Sequence, residues 1–144
     1  MKKFIAIFVA LFCFAAVSFA QPKAIGVRGT FGAELSYQHY VGGANFLEFD
    51  LGLFNHFLSS AVVYDFNLVN LGENASIYGG PGAFFSIHPD GSYIYAGLVG
   101  QIGIQYNFPT IPLQISLDWR PQFDFVHGFY GQYNGAGLGI RYRF

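Results

Sequence analysis

Three of the four histidines stand where the chain is richest in turn-forming residues. His56 follows Asn55, His88 opens His88-Pro89-Asp90-Gly91, and His127 precedes Gly128. Imidazole titrates near neutrality and can act as a general base or a transition-metal ligand. Ser59, Ser60, Ser92, Asp90 and Asp124 are close in sequence, so the ingredients of serine chemistry or of a zinc or copper site are all present. Their spacing does not assemble them. The sequence has no His-x-Ser arrangement and no triad spacing, and turn histidines are commoner than catalytic ones. We therefore expect no enzyme activity and no cofactor, with His56, His88 and His127 as weak metal candidates.

A second group of reactive side chains is ionic: Arg28, Glu34, Glu48, Asp50, Asp65, Asp118, Arg120, Arg141 and Arg143. Each stands in a segment that alternates polar and apolar. In PLQISLDWRPQFDF, residues 112–125, Leu113, Ile115, Leu117, Trp119, Phe123 and Phe125 alternate with Gln114, Ser116, Asp118, Arg120, Gln122 and Asp124. A period of two describes an extended strand with two chemically opposite faces.

The elements that must carry these residues are strands throughout. Eight alternating segments are read at approximately 24–31, 33–41, 45–54, 57–68, 75–87, 93–107, 112–124 and 133–144. Between them lie turn formers such as Gly42-Gly43, Asn70 to Asn74 and Pro109 to Pro112. Pro81 and Pro121 fall inside strands, where proline cannot donate to a ladder. A bulge at Gly79 to Gly82 is the expected accommodation for Pro81.

Residues 1–20 read as a cleaved signal peptide: Lys2 and Lys3, an apolar run from Phe4 to Val17, then Ser18-Phe19-Ala20. Phe12 precedes Cys13 where a lipoprotein signal needs a small residue, so no lipid anchor is read. The mature domain, 21–144, keeps five basic and eight acidic residues, a net charge near −3. That excludes a polybasic nucleic-acid binder. Its lack of cysteine excludes a disulfide framework and a thiolate zinc site. Aromatics are 20% of the chain and charged residues 10%, less than half the usual charged share of about 25%. After residue 20 no apolar run is long enough for a membrane helix. An exported chain this apolar suits an all-β, eight-stranded, antiparallel up-and-down transmembrane barrel.

Alternation alone leaves open which face is inside. The polar face is poor in lysine and rich in Gly, Ser, Gln and Asn, which suits a cramped lumen better than a solvated surface. An arginine turned to lipid near mid-membrane costs roughly 2–4 kcal/mol, whereas turned inward it can pair. The ionic set is therefore expected to form a charge network in the lumen. Leu113, Ile115, Leu117 and Trp119 are expected to face outward, with Phe54, Phe57, Phe66, Tyr106, Phe108, Phe123, Phe125 and Tyr142 as interfacial aromatics.

The ending GLGIRYRF, together with YGGPGAFFSI and AGLVGQIGIQYNF, resembles the small outer-membrane β-barrel proteins of Gram-negative bacteria, the group that includes OmpA-like and OmpX-like barrels. The resemblance covers residues 21–144. It implies an integral outer-membrane location with periplasmic termini, and Tyr142 and Phe144 as a C-terminal assembly signal. The partners it implies are outer-membrane lipid and, during biogenesis, the export and barrel-assembly machineries. A monomer and a structural or surface-interaction role are expected. A lipid A-modifying enzyme is the alternative, and a narrow solute or ion conduit a further one.

Overall fold

The computed structural model describes Lys3 and residues 23–144 except 31, 55, 56, 92, 127–129, 133 and 134, with Phe54, Tyr130 and Gln132 described as backbone only. The signal-peptide reading, His56 and His127 lie outside the described residues.

Ten strands follow one another: β1 (Lys23–Gly29), β2 (Ala33–Gly42), β3 (Asn45–Phe54), β4 (Phe57–Asn70), β5 (Ala75–Ile87), β6 (Ile94–Asn107), β7 (Leu113–Trp119), β8 (Gln122–Asp124), β9 (Tyr130–Gln132) and β10 (Ala136–Arg143). Neighbours pair antiparallel from β1 to β7, β7 pairs β10, and β10 pairs β1, which closes the sheet. Two of the ten are continuations. Trp119 of β7 lies opposite Ile102 of β6, and Gln122 of β8 lies opposite Val99, so β7 and β8 meet β6 in one register. Likewise β9 pairs β8 while β10 pairs β7. The wall is thus an eight-stave closed antiparallel barrel, and the eight sequence segments are its staves.

The two prolines explain why a stave is split and a ladder interrupted. Pro121 falls in the gap between β7 and β8; it offers no N–H, and its carbonyl accepts from Gly100 N at 3.0 Å. Pro81 does not produce the bulge expected at Gly79 to Gly82. The β4–β5 register is the same on both sides of it, with Val63 opposite Gly82 and Phe66 opposite Gly79, and only the rungs between are missing. The irregularity of this pair comes further along, between Asn67 and Val69. Gly80 absorbs the missing donor: the Tyr64 carbonyl occupies the space a side chain on Gly80 would need.

Curvature comes from the same device. A side chain added at inward-facing Gly26 would meet the Ile140 carbonyl, and one at Gly82 the Val62 carbonyl. Such close approaches let a narrow sheet bend and close. The alternation then sorts the side chains. Arg28, Arg120 and Arg141 are at most 2% exposed, while Val27 and Leu117 are 57% exposed and Leu138 51%. The charged and most amide residues line the inside beside a smaller apolar cluster, and large apolar residues cover the outside, the reverse of a soluble barrel. Leu113, Ile115, Leu117 and Trp119 share the outer face as expected. Phe66, Tyr106, Phe123, Phe125 and Tyr142 are exposed. Phe57 departs from that set: it has the inward parity of Ala61 and Val63 and packs edge-on against His88 and Tyr95.

Both ends of the described wall meet at one end of the barrel. Lys23 N donates to Phe144 O at 3.0 Å and Phe144 N to Lys23 O at 2.9 Å. We call this the terminal end. The opposite end carries the β1–β2, β3–β4, β5–β6 and β8–β9 connections.

Candidate functional site

The strands deliver an ionic plug to the lumen. Arg28 of β1 points inward and is bracketed by carboxylates from both neighbouring directions. Its Nη1 donates to Glu34 Oε2 of β2 at 2.8 Å, and its Nε to both Asp118 oxygens of β7 at 3.0 Å, with Nη2 also on Asp118 Oδ1. Nη2 further reaches the Gly135 carbonyl at 3.3 Å. The fork fits because β10, between β1 and β7, bears glycine here: a side chain on Gly137 would lie 2.6 Å from the Arg28 guanidinium. Glycine on β10 is thus the space into which arginine lies.

Arg120 follows β7 directly and crosses the lumen. Its Nη2 donates to Glu48 Oε1 at 2.8 Å and to Asp50 Oδ2, both on β3, and its Nε to Gln101 Oε1 of β6 at 2.7 Å. Its Nη1 stands 3.6 Å from Glu34 Oε2. One guanidinium therefore faces carboxylates on β2 and β3. Charge-assisted, planar contacts of this kind are the strong class of hydrogen bond.

Glu48 is the hub. Besides Arg120 it accepts from Gln38 Nε2 of β2 at 2.8 Å and Gln101 Nε2 of β6 at 3.4 Å. Arg141 Nη2 of β10 lies 3.3 Å from its Oε2. Arg141 is held in turn by Ser36 Oγ at 2.9 Å, Ser116 Oγ at 2.7 Å and Gln114 Oε1 at 3.5 Å. Asp65 of β4 accepts from Gln101 Nε2 at 3.0 Å. The whole plug is buried, which makes each partner costly to remove: a buried charge left alone is far worse than a buried pair.

Eight of the nine ionic residues expected in the lumen are brought together here. Arg143 is the correction. It keeps the inward parity of Arg141 but stands two positions further along, about 7 Å toward the terminal end. There it lies opposite Ala24 of β1, with its N–H on Pro112 O at 2.9 Å. Among the described residues no carboxylate bonds its guanidinium, whose charge acts instead on Tyr40 of β2.

The sequence reading did not assign Ser36, Gln38, Gln101, Gln114 and Ser116 to the site, although they share its parity. Glutamine completes what the charges cannot, since it donates to one partner while accepting from another. Gln101 does this between Arg120 and Asp65. Below the plug, the rings of Tyr40, Phe46 and Tyr78 pack at a tilt with centroids 5.2 and 5.3 Å apart, and Gln105 and Gln114 each reach the Tyr40 hydroxyl at 3.4 Å.

At the connection end, His88 Nδ1 stands 2.7 Å from Asp90 Oδ1, and Asp90 N approaches the same nitrogen at 3.4 Å. Ser59 and Ser86 bond each other at 2.8 Å. Among the described residues no serine bonds His88, and no three His, Cys, Asp or Glu side chains are grouped to hold a metal ion. The geometry at this end is that of a closed turn, whereas the lumen network is a structural bolt. Comparison with protein-family models, with curated proteins and with solved structures finds no match to this chain.

Proposed function

We propose that this protein is an integral outer-membrane barrel with a structural or surface-interaction role, its lumen shut by the ionic plug and its termini periplasmic. One observation carries the reading: charged and amide side chains are enclosed, while Val27, Leu51, Leu117, Leu138, Ile140 and other large apolar residues cover the wall. Water would not support that distribution, because an exposed apolar patch of this extent drives association. Hydrocarbon would, since a closed barrel leaves no unpaired edge in lipid. A plug bonded across β1, β2, β3, β6, β7 and β10 favours a closed wall over a conduit.

Trp119, the single tryptophan, supplies the test, since it lies on the outer face and is 44% exposed. The barrel is reconstituted in vesicles of phospholipid with brominated acyl chains. We expect strong quenching of its fluorescence. Unquenched emission, or a purified chain that stays dispersed without detergent, overturns the reading.

A further inference from the structure

One arginine, Arg143, stands outside the plug, at the terminal end. The chain has seven Lys and Arg: Lys2 and Lys3 in the leader reading, Arg28, Arg120 and Arg141 in the plug, then Lys23 and Arg143. The connections at the opposite end contain no Lys or Arg at all. Lys23 is buried. Arg143 is half-buried, and its charge acts on Tyr40 without a carboxylate partner among the described residues.

Arg143 lines a cleft of about 460 Å³ together with Phe108, Thr110, Ile111, Pro112 and Phe144. The walls are tied to one another through the backbone: Phe108 N donates to Leu113 O at 3.0 Å and Arg143 N to Pro112 O at 2.9 Å. The cleft is open and shallow, with one cation and one hydroxyl among its side chains and backbone polar groups between the apolar ones. A guanidinium is weakly hydrated and presents a planar fork that matches phosphate oxygens. The Thr110 hydroxyl can add a second donor.

We propose that this cleft binds the phosphate of an anionic phospholipid headgroup. The inference rests on the membrane reading above. Phosphate is the shared chemistry of a headgroup and of the free ion, and the lining selects the headgroup. Ile111 is 49% exposed, Phe144 45% and Tyr142 57%, so the rim of the cleft runs into the apolar outer wall. An occupant there meets a cation and hydrocarbon together, which a lipid satisfies and inorganic phosphate does not.

The test uses barrel extracted in detergent and supplied with equimolar phosphatidylglycerol and phosphatidylcholine, with bound lipid read by native mass spectrometry. We expect phosphatidylglycerol to be retained about tenfold over phosphatidylcholine, because the choline ammonium of the latter neutralises its phosphate and repels the Arg143 guanidinium. Arg143→Gln should abolish the preference, and Thr110→Val, which leaves the last strand untouched, should lower it severalfold. Retention that is the same in both variants as in the original protein overturns the proposal. Displacement of the lipid by millimolar inorganic phosphate overturns the lipid assignment. Brominated-lipid quenching of Trp119 in the unsubstituted protein is run alongside. Quenching with no phosphatidylglycerol preference rejects the cleft alone, and no quenching rejects the membrane reading.

Discussion

Within the barrel an ionic side and an apolar side meet on β4 and β6, where Asp65 and Gln101 join the ions and Val63 and Val99 the apolar cluster, and the two fill the same kind of space by different physics. On the ionic side β1, β2, β3, β7 and β10 contribute Arg28, Glu34, Glu48, Asp118 and Arg141, joined by directional bonds across the lumen. On the apolar side β4, β5 and β6 contribute Ala61, Val63, Phe84 and Val99, with Tyr95 packed against them. Dispersion and burial are non-directional and add up atom by atom. A buried ion pair is worth little against an apolar replacement of equal shape, yet breaking it strands a charge. The ionic side should therefore be brittle to single changes and tolerant of matched ones, and the apolar side should lose stability in proportion to the volume removed.

The largest effect is expected at Arg120. Arg120→Ala leaves Glu34, Glu48 and Asp50 facing one another without their common cation, and should cost about 3–5 kcal/mol. Urea unfolding of the vesicle-reconstituted barrel, followed by Trp119 emission, measures it. A loss no greater than that of an apolar truncation would erase the contrast between the two sides. Val63→Ala is that truncation. It should cost about 1–2 kcal/mol, with a similar increment at Val99→Ala and near-additivity in the pair only if the two relax independently. The smallest net change is expected from a matched replacement. Arg28→Met combined with Asp118→Leu and Glu34→Gln removes the arginine together with both carboxylates that bracket it, and should fall within about 1 kcal/mol of the original protein, although Arg28→Met alone destabilises more. If the triple variant is as unstable as Arg28→Met alone, the cluster contributes more than mutual neutralisation and the brittleness argument fails.

The strand pattern was legible because alternation with period two survives intact across most staves, and eight segments of it match the eight staves. The direction of the faces was legible from charge: Arg28, Arg120 and Arg141 could not all be exposed to a solvent so rarely met by lysine. What alternation cannot convey is height. It gives Arg141 and Arg143 the same face but not their different depth, and depth decides that one is bolted to Glu48 while the other stands at the mouth. Phe57 failed for a related reason, since an aromatic near a strand end reads alike whether it turns outward or folds over the lumen. Pro81 was legible as a disturbance but not as its remedy, because a close approach at Gly80 depends on the neighbouring strand's carbonyl. The glutamines were overlooked because a neutral amide announces no partner until its two ends are placed.

The pairing of β1 with β10 joins Ala24 to Arg143, residues nearly the whole domain apart. Every other seam links neighbours along the chain, so hairpins can zip successively, but this one cannot form until the last strand is available. Loop closure over such a span makes it the slow, high-contact-order step of folding. Until it is taken, β1 presents an unsatisfied edge that another chain could occupy, so the time between synthesis and sealing is the interval in which this polypeptide most needs an escort.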